Sequence, residues 1–198
     1  MVDALDENAI NRHLEDVLNK QGRIDIVFNG IGGRPADLGY PKASTTQALS
    51  DFMLPFNQIL VSQFLTSRAA ARQMIKQKSG AIVTLSSTLS GGTFSYMAGI
   101  SATCSAIEAM TRSFAGEFGP HGIRANCVRG SAMPETRTIQ ETSAGLIDVG
   151  GSVQMSIPPL GRPITVAETA NAAVFLASDA SSGMTGQVVT VCAGQFVG

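Results

Sequence analysis

The stretch "PLGRPITVAETANAAVFLASDASSGMTGQVV", Pro159 to Val189, holds the start of a helix, its end, and the opening of a strand. Thr165 and Glu168 stand three apart, ahead of Val166, Ala170, Ala173 and Val174, which is capping-box spacing in front of a helix that runs to about Ser178. "GQVVTVC", Gly186 to Cys192, follows as a strand.

The same alternation continues toward the N-terminus. "IRANCV" (Ile123–Val128), "GAIVTLSS" (Gly80–Ser87) and "IDIVFN" (Ile24–Asn29, apolar on both faces apart from Asp25) read as three more buried strands. Between them lie helices over Ile100–Phe118 and Ser50–Lys78. The first carries an apolar stripe of Ile100, Cys104, Ile107, Phe114 and Phe118, with Ala102, Ala106 and Ala109 on another face. The second has Pro55 near its first turns as a kink or a late start. A further helix over Asp6–Lys20 has Asp6 as N-cap and Gly22 beyond its end. Strands that alternate with helices in this way predict an α/β fold, a Rossmann-like doubly wound parallel sheet with helices on both faces, in one domain. The polar stretch Gly130–Arg162 is expected to be a mobile loop that sets substrate class.

Composition narrows the function classes. A chain of 198 residues, 44% hydrophobic and 15% charged, is long enough to bury a core. Its formal net charge of -1 offers no field for nucleic acid or anionic lipid, so neither a nucleic acid nor a membrane is expected as partner. No apolar run reaches the roughly 18 residues of a membrane span, and "MVDALDENAI" lacks the order of a signal peptide. Cys104, Cys127 and Cys192 are odd in number and set among apolar residues, which suits a reducing, cytoplasmic compartment. The two histidines, His13 and His121, read as surface residues, and no metal site is expected.

Three stretches carry a family resemblance: "GRIDIVFNGIG", "GAIVTLSS" with "AIEAMTRSFAGEFGPHGIRANCV", and the Pro159–Val189 segment. Together they resemble the short-chain dehydrogenase/reductase family. The likeness runs from Asp3 onward and implies a Rossmann-type sheet, NAD or NADP as cofactor, and a small carbonyl or alcohol substrate. "VDALDE" resembles the segment after the family's third strand, so the domain at 1–198 is N-terminally incomplete by that comparison, with four of the family's seven strands. "GIGGRP" is no substitute for the glycine-rich turn, because Pro35 stands at the third glycine and no helix opens there. The edge of "IDIVFN" would then be uncovered, from which oligomerisation, a rearranged N-terminus or an incomplete gene product is expected. The resemblance places homo-oligomer contacts on the helices at 50–78 and 100–118.

It also implies a proton relay of serine, tyrosine, lysine and asparagine. Ser87 holds the serine place. The tyrosine falls on Ile100, the lysine on Cys104 and the asparagine on Ile59, with Asn57 two residues away and pointing elsewhere. An unperturbed tyrosine is a poor base at neutral pH and needs such tuning, whereas a hydrocarbon and an unassisted thiol carry no proton. Tyr96 would lie one turn above Ile100 only if the helix extended back to it. Ser87 reads equally as a substrate contact and as a strand-end serine bonded to backbone. Cofactor contacts are assigned by resemblance to Asp3 near the adenine, to Asn29, Gly30 and Gly32, and to Gly130, Ser131, Met133 and Thr136 in the nicotinamide-side turn "VRGSAMPET". There Arg129 and Gly130 replace a common alanine and proline. Two functions follow: an NAD(P)-dependent oxidoreductase with a degenerate site, or an inactive binding or scaffolding subunit that joins itself or an intact relative.

Overall fold

The computed structural model describes residues 2–151 and 157–196. Helix α1 (Glu7–Gln21) starts where Asp6 accepts the N–H groups of Asn8 and Ala9, and stops at Gly22, whose φ of 76° only glycine adopts freely. Strand β1 (Ile26–Asn29) follows. A loop leads to α2 (Leu49–Pro55), a π turn at Phe56–Leu60, and α3 (Val61–Gln77). The expected kink is this π turn: Pro55 has no N–H to give, and the ladder re-forms with the Val61 N–H reaching back to Phe56 O.

Strand β2 (Gly80–Ser87) and α4 (Ala98–Phe118) come next, then β3 (Ile123–Gly130), α5 (Arg137–Asp148), α6 (Val166–Ala177) and β4 (Val188–Val191). The strands are all parallel, in the order β1-β2-β3-β4, so each connection crosses to the next position. The capping box of α6 is complete, with Thr165 and Glu168 each bonded to the other's backbone N–H.

Apolar side chains divide into three clusters. Ile82, Ile123 and Ala125 of the sheet pack with Ala70, Met74, Phe114 and Phe118 of α3 and α4, and Leu14, Val17 and Leu18 of α1 close that side. On the opposite face Val83 and Val128 meet Ala173 and Leu176 of α6. The third cluster lies toward the strand C-termini and includes Ile59, Ile100 and Cys104.

Two expectations need correction. β1 is not buried on both faces: Ile26 is 51% and Phe28 50% exposed, because α6 covers the sheet chiefly over β2 and β3. The stretch after Gly130 is not one loop either. Thr136 accepts the Ile139 N–H and starts α5, a helix none of whose residues is buried. Residues 152–156 of that stretch lie outside the described residues. His13 and His121 are both exposed, and no helix among the described residues is long and apolar enough to cross a membrane.

The turn into β4 hangs on β3. Buried Asn126 donates to Met184 O at 2.8 Å and accepts from Gln187 N at 3.0 Å, while Arg124 donates to Leu176 O and Ser181 Oγ, both at 2.8 Å. Asn126→Ala strands two backbone groups at once. It is expected to lower the unfolding free energy by about 2–4 kcal/mol, as the midpoint of a urea titration would show.

Candidate functional site

The C-terminal ends of β2 and β3 lie side by side, with Ser87 in register with Gly130 and Ser86 with Arg129. Side chains alternate along a strand, so Ser86 and Arg129 share one face. That face meets α4. Glu108 of α4 is buried there, and it accepts hydrogen bonds from Ser86 Oγ (2.7 Å) and Ser90 Oγ (2.6 Å). Arg129 closes on the same carboxylate in bidentate fashion, Nε to Oε1 at 2.9 Å and Nη2 to Oε2 at 2.7 Å. Burial pushes the Glu108 carboxyl up, but the hydrogen bonds from Arg129, Ser90 and Ser86 outweigh it and hold the group below its ordinary value. Local sequence does not join these two residues, 21 positions apart. The signal of the pair was present: an acid beside the apolar stripe of one buried helix and an arginine at the end of one buried strand, which only a partner makes tolerable.

One turn earlier on α4 the chemistry changes. Ile100 and Cys104 are 6% and 4% exposed, and they pack with Ile59, Leu38, Tyr40, Met97, Ile107 and Cys127 in a single cluster. The structure therefore brings together Ile59, Ile100 and Cys104, the three positions to which the resemblance assigned an asparagine, a tyrosine and a lysine. Asn57 is exposed, as its place on the helix predicts. Burial pushes the Cys104 thiol up to about 12, against a lowering contribution from the Ser87 backbone N–H. The Tyr40 phenol, which enters from the loop after β1, is raised to about 12 by burial and then by the neighbouring Cys104. Both stay protonated at neutral pH.

Ser87 accepts the Leu89 N–H at 3.4 Å and so caps the turn Thr88–Ser90, the backbone role that was one of its two readings. Tyr96 is not one turn above Ile100 on the helix: α4 begins at Ala98, and Tyr96 has a positive φ of 67°. Gly99 explains why α4 begins so close to α2, since a Cβ there would stand 2.7 Å from Phe52 O.

The positions assigned to a cofactor lie before α1, at the end of β1, and from the end of β3 to the start of α5. Asp3 accepts the Leu5 N–H at 2.9 Å and lines a shallow cleft with Arg12, His13 and Asp16. Asn29 is buried, its amide donating to Ser67 Oγ at 2.8 Å and accepting from Thr66 Oγ1. A Cβ on Gly30 would collide with the Phe28 ring, whereas one on Gly32 would meet open space. Gly130 stands beside Ser87, and Ser131 Oγ donates to Gln195 Oε1 at 2.8 Å. Met133 accepts from Thr136 through its carbonyl and from Thr169 through its sulfur, so the turn is tied down on α6.

A family model described as enoyl-(acyl carrier protein) reductase matches residues 1–195. Xanthoxin dehydrogenase of Arabidopsis thaliana is 31% identical over 95% of this chain and 67% of its own length. Galactitol 2-dehydrogenase of Rhizobium johnstonii is 35% identical over 87% of this chain and 70% of its own. The chain belongs to the short-chain dehydrogenase/reductase family. A solved structure of NAD+-bound xylitol dehydrogenase superposes with a TM-score of 0.87 at 26% identity, over 98% of this chain and 77% of that one. A gluconate 5-dehydrogenase from Burkholderia cenocepacia, in complex with NADP and tartrate, gives 0.81 at 25% identity over 97% of this chain and 72% of that one. This short-chain dehydrogenase/reductase chain thus spans about two thirds of the length of the curated relatives it matches.

Two predictions follow from the cluster chemistry of this family member. The folded pKa of Glu108 lies below its unfolded value, so the pair stabilises the fold above the ordinary carboxylate range and ceases to do so as pH falls through the folded value. Glu108→Ala should cost about 3–5 kcal/mol at pH 7, with the gap to the wild type narrowing below about pH 4 in denaturant titrations. Native protein treated with iodoacetamide at pH 7.5 should leave Cys104 and Cys127 unmodified by peptide mass spectrometry, whereas protein in guanidinium should alkylate at both.

Proposed function

We propose that this family member acts as a binding or assembly subunit and does not pass protons through the relay that the family resemblance implies. The observation that carries this reading is the apolar cluster itself, in which Ile59, Ile100 and Cys104 are buried together. Two hydrocarbons and a thiol raised to about 12 supply no general acid or base and no cation to hold a ribose. The donor set at the strand ends therefore does not fit NAD or NADP in the manner the resemblance implied. Glu108 and Arg129 neutralise each other, the Asn29 amide is bonded to Ser67 and Thr66, and Ser87 is occupied by a turn. The helical segments at 50–78 and 100–118 are the surface through which it would join a second copy or an intact relative. The exposed side of α4 carries the small residues Ser105, Ala109, Ser113 and Gly116 beside the charged Arg112 and Glu117.

A second reading rests on the printed names of the relatives, which are dehydrogenases and reductases. On it the chain is an NAD(P)-dependent oxidoreductase of a small carbonyl or alcohol. Ser87 would contact the substrate oxygen, and Asp3, Asn29, Gly30, Gly32, Gly130, Ser131, Met133 and Thr136 would line the cofactor.

Titration of the purified protein with NADH and with NADPH, followed by cofactor fluorescence, separates the two. No saturation up to about 1 mM is expected, equivalent to a binding free energy weaker than about 4 kcal/mol. Saturable binding together with turnover that Ser87→Ala abolishes would establish the oxidoreductase instead.

A further inference from the structure

Residues 30–48, which join β1 to α2, form one turn of 3-10 helix at Ala36–Leu38 and no other regular element. The segment leaves β1 at the C-terminal end of the sheet, the end at which open α/β sheets take their ligands. From there it sends Leu38 and Tyr40 into the cluster around Ile59, Ile100 and Cys104. Those two side chains are 1% and 7% exposed, whereas most of the segment lies at the surface. Its fastenings are few and mostly wet. Lys42 Nζ meets Asp51 of α2 at 2.6 Å and Arg34 Nε meets Glu141 of α5 at 3.3 Å, and Lys42 and Arg34 are both exposed. The Lys42 N–H donates to Tyr96 O at 2.9 Å. Gly39 lies hard against α2: its φ is 71°, and a Cβ there would stand 2.5 Å from Asp51 O. On the other side the Pro41 ring touches α5, where a Cβ on Gly145 would stand 3.0 Å from Pro41 Cδ.

We propose that residues 30–48 are a strap that closes this end of the sheet and lifts as a unit, withdrawing Leu38 and Tyr40 from the cluster while the sheet and α4 stay folded. Local opening is the cheaper route for such a segment. Exposed ion pairs contribute little, so lifting gives up two well-buried side chains and no strand hydrogen bond. What lies beneath is held by other means: α4 stays on the sheet through Glu108 and Arg129, and Ile59 belongs to the π turn before α3. The closed strap is an autoinhibitory contact, since the chain's own Tyr40 ring fills the place at the strand ends that a ligand would enter. Once it lifts, Ile100 and the Cys104 thiol line an open apolar cleft. Cys127, fully buried on β3 beneath α4, stays covered, so the two thiols report separately on the strap and on the domain. The proposal goes beyond the reading of the site as inactive in proton transfer and holds with or without cofactor binding, because its test reads no activity.

Timed alkylation of the full chain with iodoacetamide at about pH 7.5, read at Cys104 and Cys127 by peptide mass spectrometry, is the experiment. The double variant Arg34→Ala, Lys42→Ala removes both ion pairs, and Gly39→Ala drives a methyl group against Asp51 O. Thr165→Ala is the control, because it breaks the capping box of α6 on the opposite face of the sheet. In both strap variants Cys104 is expected to react about tenfold or more faster than in the wild type, with Cys127 as slow as before and circular dichroism unchanged. Thr165→Ala should leave the ratio of the two rates as in the wild type. If Gly39→Ala fails to fold, the double variant decides alone. Cys104 and Cys127 reacting in step in the strap variants would overturn the proposal, since the domain as a whole would then be opening. Wild-type rates at Cys104 in those variants would overturn it too, as would faster reaction of Cys104 alone in Thr165→Ala.

Discussion

A carboxylate and a guanidinium taken out of water together hold α4 against the sheet. Glu108 stands on the buried side of α4 and Arg129 near the end of β3, and neither is tolerable there without the other. Ser86 and Ser90 complete the hydrogen bonding of the carboxylate, so the helix, both central strands and the turn after β2 meet at one group. Everything one turn earlier on α4 is placed by that contact. The rotation that points Glu108 at Arg129 also points Cys104 at the end of β2 and Ile100 at Ile59.

The result is a site whose polar and apolar parts are stacked along one helix. Toward the middle of α4 lies a satisfied ion pair, and toward its N-terminus lies a cluster in which burial keeps the Cys104 thiol and the Tyr40 phenol protonated at neutral pH. The ring of Tyr40 belongs to the cluster, and burial keeps its hydroxyl protonated. The polar groups around the cluster are spent on the fold itself: Ser87 on a turn, Asn29 on α3, Thr136 on the start of α5.

The sheet is unevenly finished. α1, α3 and α4 cover one face along its length, whereas α6 protects mainly the two central strands on the other. Gln77 supplies a strand-like pair of bonds at one residue of the open edge and goes no further. Backbone groups in water are not costly, so the edge is stable as it stands.

Most of the architecture was legible in local sequence. The caps at Asp6 and Thr165 and the strand Gly80–Ser87 depend on residues a few positions apart, and each lies where the spacing placed it. What Ile59, Ile100 and Cys104 can do with a proton is legible too, because residue identity decides whether a side chain can carry one. α5 was hidden by its polar surface, and the half-exposure of Ile26 and Phe28 by the fact that an apolar strand looks the same whether or not a neighbour covers it. The partnership of Glu108 with Arg129, 21 residues apart, and the union of Tyr40 with Cys104 were decided by tertiary structure alone. Sequence determined the elements and the chemistry available on each, since propensity, capping and ionisation are local. Which groups meet, and which lose their water, depends on how α4 settles on the sheet, and that is a property of the folded chain.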